Sequence, residues 1–253
     1  QARGQSIALP RLGNQQNHGK DENRHLFMIA IFATLAWHTA HPGATIGLLE
    51  LSGIKQPESS PRLDEHKREV EARLRERYQG STRKTILSDP VMGTYDRYYR
   101  RFNKTYHVLQ QVESIALKGK DLPNVCPLVD AVFASEVETF VLTAGHDADR
   151  LLPPILIDIS QEGEQIMHMD GTVKAVKAGD MVMRNSEGIS CSILNGQCKR
   201  SPITSETSHV LYVAYAPLGV PLEAVETQLK GIQANIRLFS PDLVVEQHNL
   251  LIA

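Results

Sequence analysis

The residues best suited to chemistry stand together in "LTAGHDADRL", residues 142–151. A neutral imidazole can take a proton from water near neutral pH, and a carboxylate beside it can orient it. His146 with Asp147 is therefore a candidate general base and its support. The same letters also describe a helix ending. Gly145 would then close the helix, His146 would bond its last carbonyls, and Asp147 would begin the next turn. Adjacency in sequence does not choose between these readings.

A second candidate is "YDRYYRRFNKTYHV", where Arg97, Arg100, Arg101 and Lys104 alternate with Tyr95, Tyr98, Tyr99 and Phe102. Such a stretch can grip phosphates and stack on bases. It can equally form a helix whose rings pack inward while its arginines stay in water. Lys118 and Lys120 follow one helix later, and Lys199 and Arg200 sit in a later loop. The formal net charge is -2, so any RNA contact has to come from such a local patch. No DNA partner is expected.

Other chemistries lack their residues. No G-x-G-x-x-G, Walker loop, G-x-S-x-G or HExxH occurs, so nucleotide-dependent, serine-hydrolase and zinc-protease mechanisms are unsupported. His38 and His41 lie three apart beside Pro42 without a third ligand near in sequence, so no metal is expected. Cys126, Cys191 and Cys198 form neither a CxxC pair nor a disulfide framework, which suits a reducing cytoplasm. The longest apolar run, "LFMIAIFATLAW", is too short to span a bilayer and reads as a buried strand or short helix.

The elements that must position these residues are legible in outline. Residues 1–27 are polar and aperiodic and read as a disordered or loosely attached tail, ahead of a single domain over 28–253. "ATIGLLEL" reads as a strand. Ser60-Pro61 opens a helix to about Tyr78, with Leu63, Val70 and Leu74 on one stripe and solvated charge elsewhere. Val108, Val112 and Ile115 mark another helix, and Pro127 opens a third, broadly apolar one. Beyond Pro153 the chain breaks into short β-rich runs such as "ILIDIS", "ISCSIL" and "HVLYVAYA", with a hairpin turn at Asp170-Gly171. A helix at Leu222, Val225, Leu229, Ile232 and Ile236 closes the chain. Helices, then strands, then a helix indicate an α+β fold.

The ordered series "YYRRFNKTYHV", "LKGKDLPNVCPLVDAV", "GHDADRL" and "ITSETSHVLYVAYAP" resembles the B3/B4 domain. That domain is the tRNA-editing module of the phenylalanyl-tRNA synthetase β subunit, and it also occurs in free-standing proteins. The resemblance runs from about Ala44 to Asp242. It implies a three-layer fold with a β-sandwich of short mixed strands packed by helices. It also implies tRNA or aminoacyl-tRNA as partner, in the cytoplasm, with no cofactor and no membrane. In the synthetase the domain hydrolyses tyrosine misattached to the phenylalanine tRNA. Aligned on Pro127 to Asp130, the editing histidine of the family falls on Ala144 and the editing glutamate on Lys199, while Asp147 matches a family aspartate. Any hydrolysis would then use a shifted set: His146 two places on, Asp147, and Glu187 supplying the carboxylate missing at Lys199. The candidate RNA contacts are Arg97, Arg100, Arg101, Lys104, Lys118, Lys120, Lys199 and Arg200. Two functions stay open: trans-editing hydrolysis of a misacylated tRNA, or non-catalytic binding of RNA or an amino-acid-like molecule.

Overall fold

The computed structural model describes residues 28–253; the expected tail over 1–27 lies outside them. The elements run β1 (Ile31–Ala33), α1 (Leu35–Ala40), β2 (Thr45–Ser52), α2 (Pro61–Arg77), α3 (Arg83–Leu87), α4 (Pro90–Arg100), α5 (His107–Ala116), α6 (Pro127–Thr139), β3 (Thr143–Asp147), β4 (Ile155–Ile159), β5 (Gln165–Met167), β6 (Val173–Ala175), β7 (Met181–Asn185), β8 (Gly188–Ser192), β9 (Gly196–Gln197), β10 (Val210–Ala216), α7 (Leu222–Arg237) and β11 (Val244–Ile252). The fold is α+β. Two larger sheets have the orders β1-β4-β7-β8-β9 and β11-β2-β10-β3, and β5 and β6 form a separate hairpin. The β1–β4 pairing is parallel and the rest are antiparallel, so the first sheet is mixed and the second is antiparallel.

Local chemistry sets the helix starts. Ser60 caps α2 with Pro61 in its first turn, and Asp89 caps α4 by accepting from the Val91 and Met92 amides. The three tyrosine rings Tyr95, Tyr98 and Tyr99 of the basic aromatic stretch face inward, and Phe102 is half-buried. Tyr95 donates to the Tyr215 carbonyl, Tyr99 to the Ile193 carbonyl, and Tyr98 to Asp180, so α4 is tied to both large sheets. Stacking of these three tyrosines on bases is thereby excluded.

Three expectations need correction. "GHDADRL" does not end a helix: α6 stops at Thr139 with Phe140 in the left-handed region at φ 62°, and residues 143–147 form β3 instead. Pairing with β10 along Val210–Ala214 outweighs the helical reading. The chain does not close on α7 either, because β11 follows and pairs with β2, with an irregularity between Val245 and Gln247. Its loose alternation is that of an edge strand. Finally, α2 is charged and exposed outside its apolar stripe at Arg62, Arg68, Glu69 and Arg73 but not throughout, since Lys67 and Glu71 are buried.

Those two charges pin the loop ahead of α6. Lys67 Nζ lies 2.8 Å from Asp130 Oδ2 and 2.8 Å from the Pro123 carbonyl oxygen, while Glu71 Oε1 accepts from the Leu122 amide. Asp130 Oδ1 accepts from the Val125 amide. A buried ion pair is costly to break from one side, because the remaining charge has neither water nor partner. Lys67→Met is expected to lower unfolding free energy by about 3–5 kcal/mol, read from the urea midpoint. Adding Asp130→Asn should recover part of the loss, since a neutral amide can still accept from Val125.

Candidate functional site

β3 is the edge strand of its sheet, and a cavity of about 320 Å³ opens along it. Val129, Val132 and Phe133 from α6 form one wall; Cys191, Ser192, Gly196 and Gln197 from β8 and β9 form another. Leu142, Thr143, Ala144 and Gly145 lie between them, and His107 reaches in from the first residue of α5. Val125 and Met169 line it while staying exposed, so they stand at its mouth.

The strand register decides what β3 offers. The Tyr215 amide donates to the Leu142 carbonyl, so positions 142, 144 and 146 bond to β10. The intervening amides point the other way: Thr143 N–H donates to Glu136 and Asp147 N–H to the Ser201 carbonyl. Gly145 falls in the same phase, so its N–H and C=O point away from β10 on the cavity side. Glycine is required there by space, because a Cβ at 145 would sit 2.8 Å from both Ile203 Cδ1 and Tyr212 Cε1.

Charge is scarce around the cavity. Among the described residues His107 is its only imidazole and no carboxylate lines it. Burial lowers the His107 pKa to about 4, so the ring is neutral at pH 7; its Nδ1 lies 3.3 Å from the Tyr99 hydroxyl. Behind Thr143 lies a buried polar network. Glu136 accepts from the Thr143 amide, and Gln228 Nε2 donates to Thr143 Oγ1. Burial raises the Glu136 pKa to about 8, so it is a neutral acid at pH 7. The Cys191 thiol, pushed up to about 12 by burial, is no nucleophile.

The residues singled out in the sequence are not brought together. His146 is fully buried and absent from the cavity wall; its Nδ1 lies 2.8 Å from Ser201 Oγ, and burial lowers its pKa to about 3. Asp147 holds the chain: Oδ2 accepts from Thr207 Oγ1 and Oδ1 from the Asp149 amide, opening a 3-10 turn at Ala148–Arg150. Asp149 in turn meets Nδ1 of His209 at 3.0 Å, whose Nε2 meets buried Glu50 at 2.9 Å. "GHDADRL" and "TSETSHVL" therefore bind one another. Glu187 is exposed beyond β7 and faces Arg200 at 3.5 Å.

Of the basic residues, Arg97, Arg100, Arg101, Lys118, Lys120 and Lys199 are exposed. Lys104 is half-buried, with Nζ donating to the Leu194 carbonyl and Asn195 Oδ1, and Arg200 donates to the Ile189 carbonyl. Sequence reasoning missed His107, Thr143, Ser192 and Gln197 as cavity residues. Thr143, next to Ala144, and Gln197, two places before Lys199, lay beside positions the family pattern marked, and His107 stood within its basic aromatic stretch; nothing marked Ser192.

The fold and site define an α+β protein with a mostly apolar, uncharged cavity at a sheet edge. The chain belongs to the B3/4 domain family, whose sequence profile matches residues 94–231. A search of curated protein sequences gives no match. A solved structure, an N-terminal fragment of the phenylalanyl-tRNA synthetase β-subunit from Pyrococcus horikoshii, is similar at 11% identity and a TM-score of 0.43. That likeness covers 83% of this chain and 48% of the fragment, so the chain spans about half the fragment's length. No helix among the described residues is long and apolar enough to cross a membrane.

The buried titratable groups set opposed pH dependences. Between pH 6.5 and about 4, His107 and His146 bind protons in the unfolded chain only, so stability falls as pH is lowered through that window. Glu136 acts in the other direction. From pH 4.5 to about 8 it is ionised only when unfolded, so stability falls as pH rises. Glu136→Gln should remove that second loss and raise stability at pH 8 relative to pH 5, measured by chemical denaturation at both values.

Proposed function

We propose that this B3/4 protein binds tRNA and receives an uncharged, largely apolar aminoacyl group, or an amino-acid-like small molecule, in the cavity along β3. The observation that carries the reading is the lining itself. It is apolar on the α6 side and offers the Gly145 backbone and the Gln197 side chain to orient an amino-acid backbone, while the hydroxyls of Thr143 and Ser192 are held by Gln228 and Asp180. Its volume is at the small end of ligand pockets, roughly 300–1,000 Å³. Ala144, where the family resemblance sets a histidine, leaves that part of the wall without a titratable side chain. The tRNA half of the reading comes from the family, and the exposed Arg97, Arg101, Lys118, Lys120 and Lys199 are the groups available to phosphates.

A second reading, trans-editing hydrolysis, is favoured by one observation. His107 lines the same cavity as Ser192 and is neutral at pH 7, so it can accept a hydrogen bond from an attacking water. With a pKa near 4 it is a weak base. His146, fully enclosed and bonded to Ser201, would need the wall to open before it met a substrate.

Binding of a panel of aminoacylated and uncharged tRNAs separates these readings. The parent chain is expected to prefer tRNAs carrying an apolar aminoacyl group. Ala144→Phe, which fills the cavity, should abolish that preference while the salt-dependent affinity for uncharged tRNA stays. Equal binding of charged and uncharged tRNA by the parent would sink the aminoacyl reading. Ester hydrolysis lost in His107→Gln would establish the second reading, and hydrolysis lost only in His146→Ala would return the chemistry to that residue.

A further inference from the structure

A second recess, of about 230 Å³, shares no residue with the cavity. It is lined by His41, Thr94, Arg97, Tyr98, Arg101 and Leu218 among others and, among the described residues, by no Asp or Glu. The charge pattern of α4 explains this. Its one acid, Asp96, pairs with Arg100 one turn on, at 2.7 Å. Arg97 and Arg101 are themselves four apart on the neighbouring stripe, and among the described residues neither has a carboxylate within ion-pair distance. Like charges at this spacing repel, and nothing in the recess offsets them.

Each group is nevertheless held in place. Arg97 donates to Thr94 Oγ1 at 2.8 Å. The guanidinium of Arg101 lies over the rings of Tyr98 and Phe102, 5.6 Å from each centroid, which fixes its position without using its N–H donors. His41 Nε2 is 3.1 Å from the Gly179 carbonyl, so Nε2 carries the proton and Nδ1 is the remaining nitrogen. The positive charge of Arg101 adds to burial in keeping this ring neutral. The result is a small concave site with two oriented guanidinium groups and no internal anion.

We propose that this recess binds a phosphate group, with Arg97 and Arg101 each donating to its oxygens. Planar guanidinium forks match phosphate geometry, and the missing anion is what the recess lacks electrostatically. The phosphate belongs either to an RNA backbone or to a free phosphorylated small molecule; the recognising chemistry is the same. As an RNA contact the site rests on the tRNA reading above, and as a small-molecule site it stands without it.

Calorimetric titration of the intact chain with inorganic pyrophosphate at low salt, alongside tRNA binding, tests the proposal. Arg97→Gln and Arg101→Gln are each expected to weaken pyrophosphate at least tenfold. Arg100→Gln should change it less than twofold, because Asp96 already neutralises that charge. Leu218→Glu, which sets a carboxylate at the exposed rim, should weaken it without touching either arginine, and melting curves show that each variant folds. A parallel loss of tRNA affinity assigns the site to the RNA backbone; a loss confined to pyrophosphate assigns it to a small phosphorylated ligand. Absence of pyrophosphate binding by the parent, with tRNA bound equally by parent, Arg97→Gln and Arg101→Gln, overturns the recess and leaves the tRNA reading standing. Pyrophosphate bound through both arginines with no tRNA binding does the reverse. Equal losses in all three arginine variants would show general electrostatic attraction and also overturn the site.

Discussion

The pairing of β3 with β10 is the interaction on which the rest depends. Five residue pairs, from Thr143 with Ala214 to Asp147 with Val210, fix the phase of the edge strand. A slip of one residue would turn the Gly145 amide toward β10 and move Ala144 off the cavity wall. The register is locked at both ends. Glu136 accepts the Thr143 amide at one end, and at the other Asp147 holds Thr207 while Asp149 and Glu50 enclose His209. The motif that looked most like catalytic machinery thus holds the strand, and the strand presents the site.

The same economy of charge runs through the interior. Lys67 with Asp130, Glu71 with the Leu122 amide, and Asp180 with Tyr98 and Leu194 each satisfy a buried polar group and fix one loop or helix. These contacts leave the cavity without ionised groups, and an uncharged cavity suits an apolar guest. On the surface the logic reverses. Asp96 is spent on Arg100, so Arg97 and Arg101 keep their full charge for a ligand.

Much of the fold was legible because it rests on local signals. Ser60-Pro61, the 3,4,3,4 spacing from Leu222, and the β-rich runs of the second half correspond to α2, α7 and the sheet strands. β3 and β11 were not legible, because an edge strand is defined by its partner more than by its own pattern. The site was less legible still. His107, Thr143, Ser192 and Gln197 converge from four segments with no shared spacing. The buried role of Lys67 is invisible on a helix that otherwise reads as charged surface. The family resemblance did mark Ala144, and that position lines the cavity; His146, two residues along, does not.

The central claim is that ligand enters along β3 and not at His146. Methyl NMR of the chain titrated with a non-hydrolysable 3′-aminoacylamino-adenosine tests it most directly. The account predicts saturable shifts at the methyls of Ala144, Met169 and Ile203, with Ile236 on α7 unmoved. Shifts confined to surface methyls, or none at Ala144 at saturation, would contradict it.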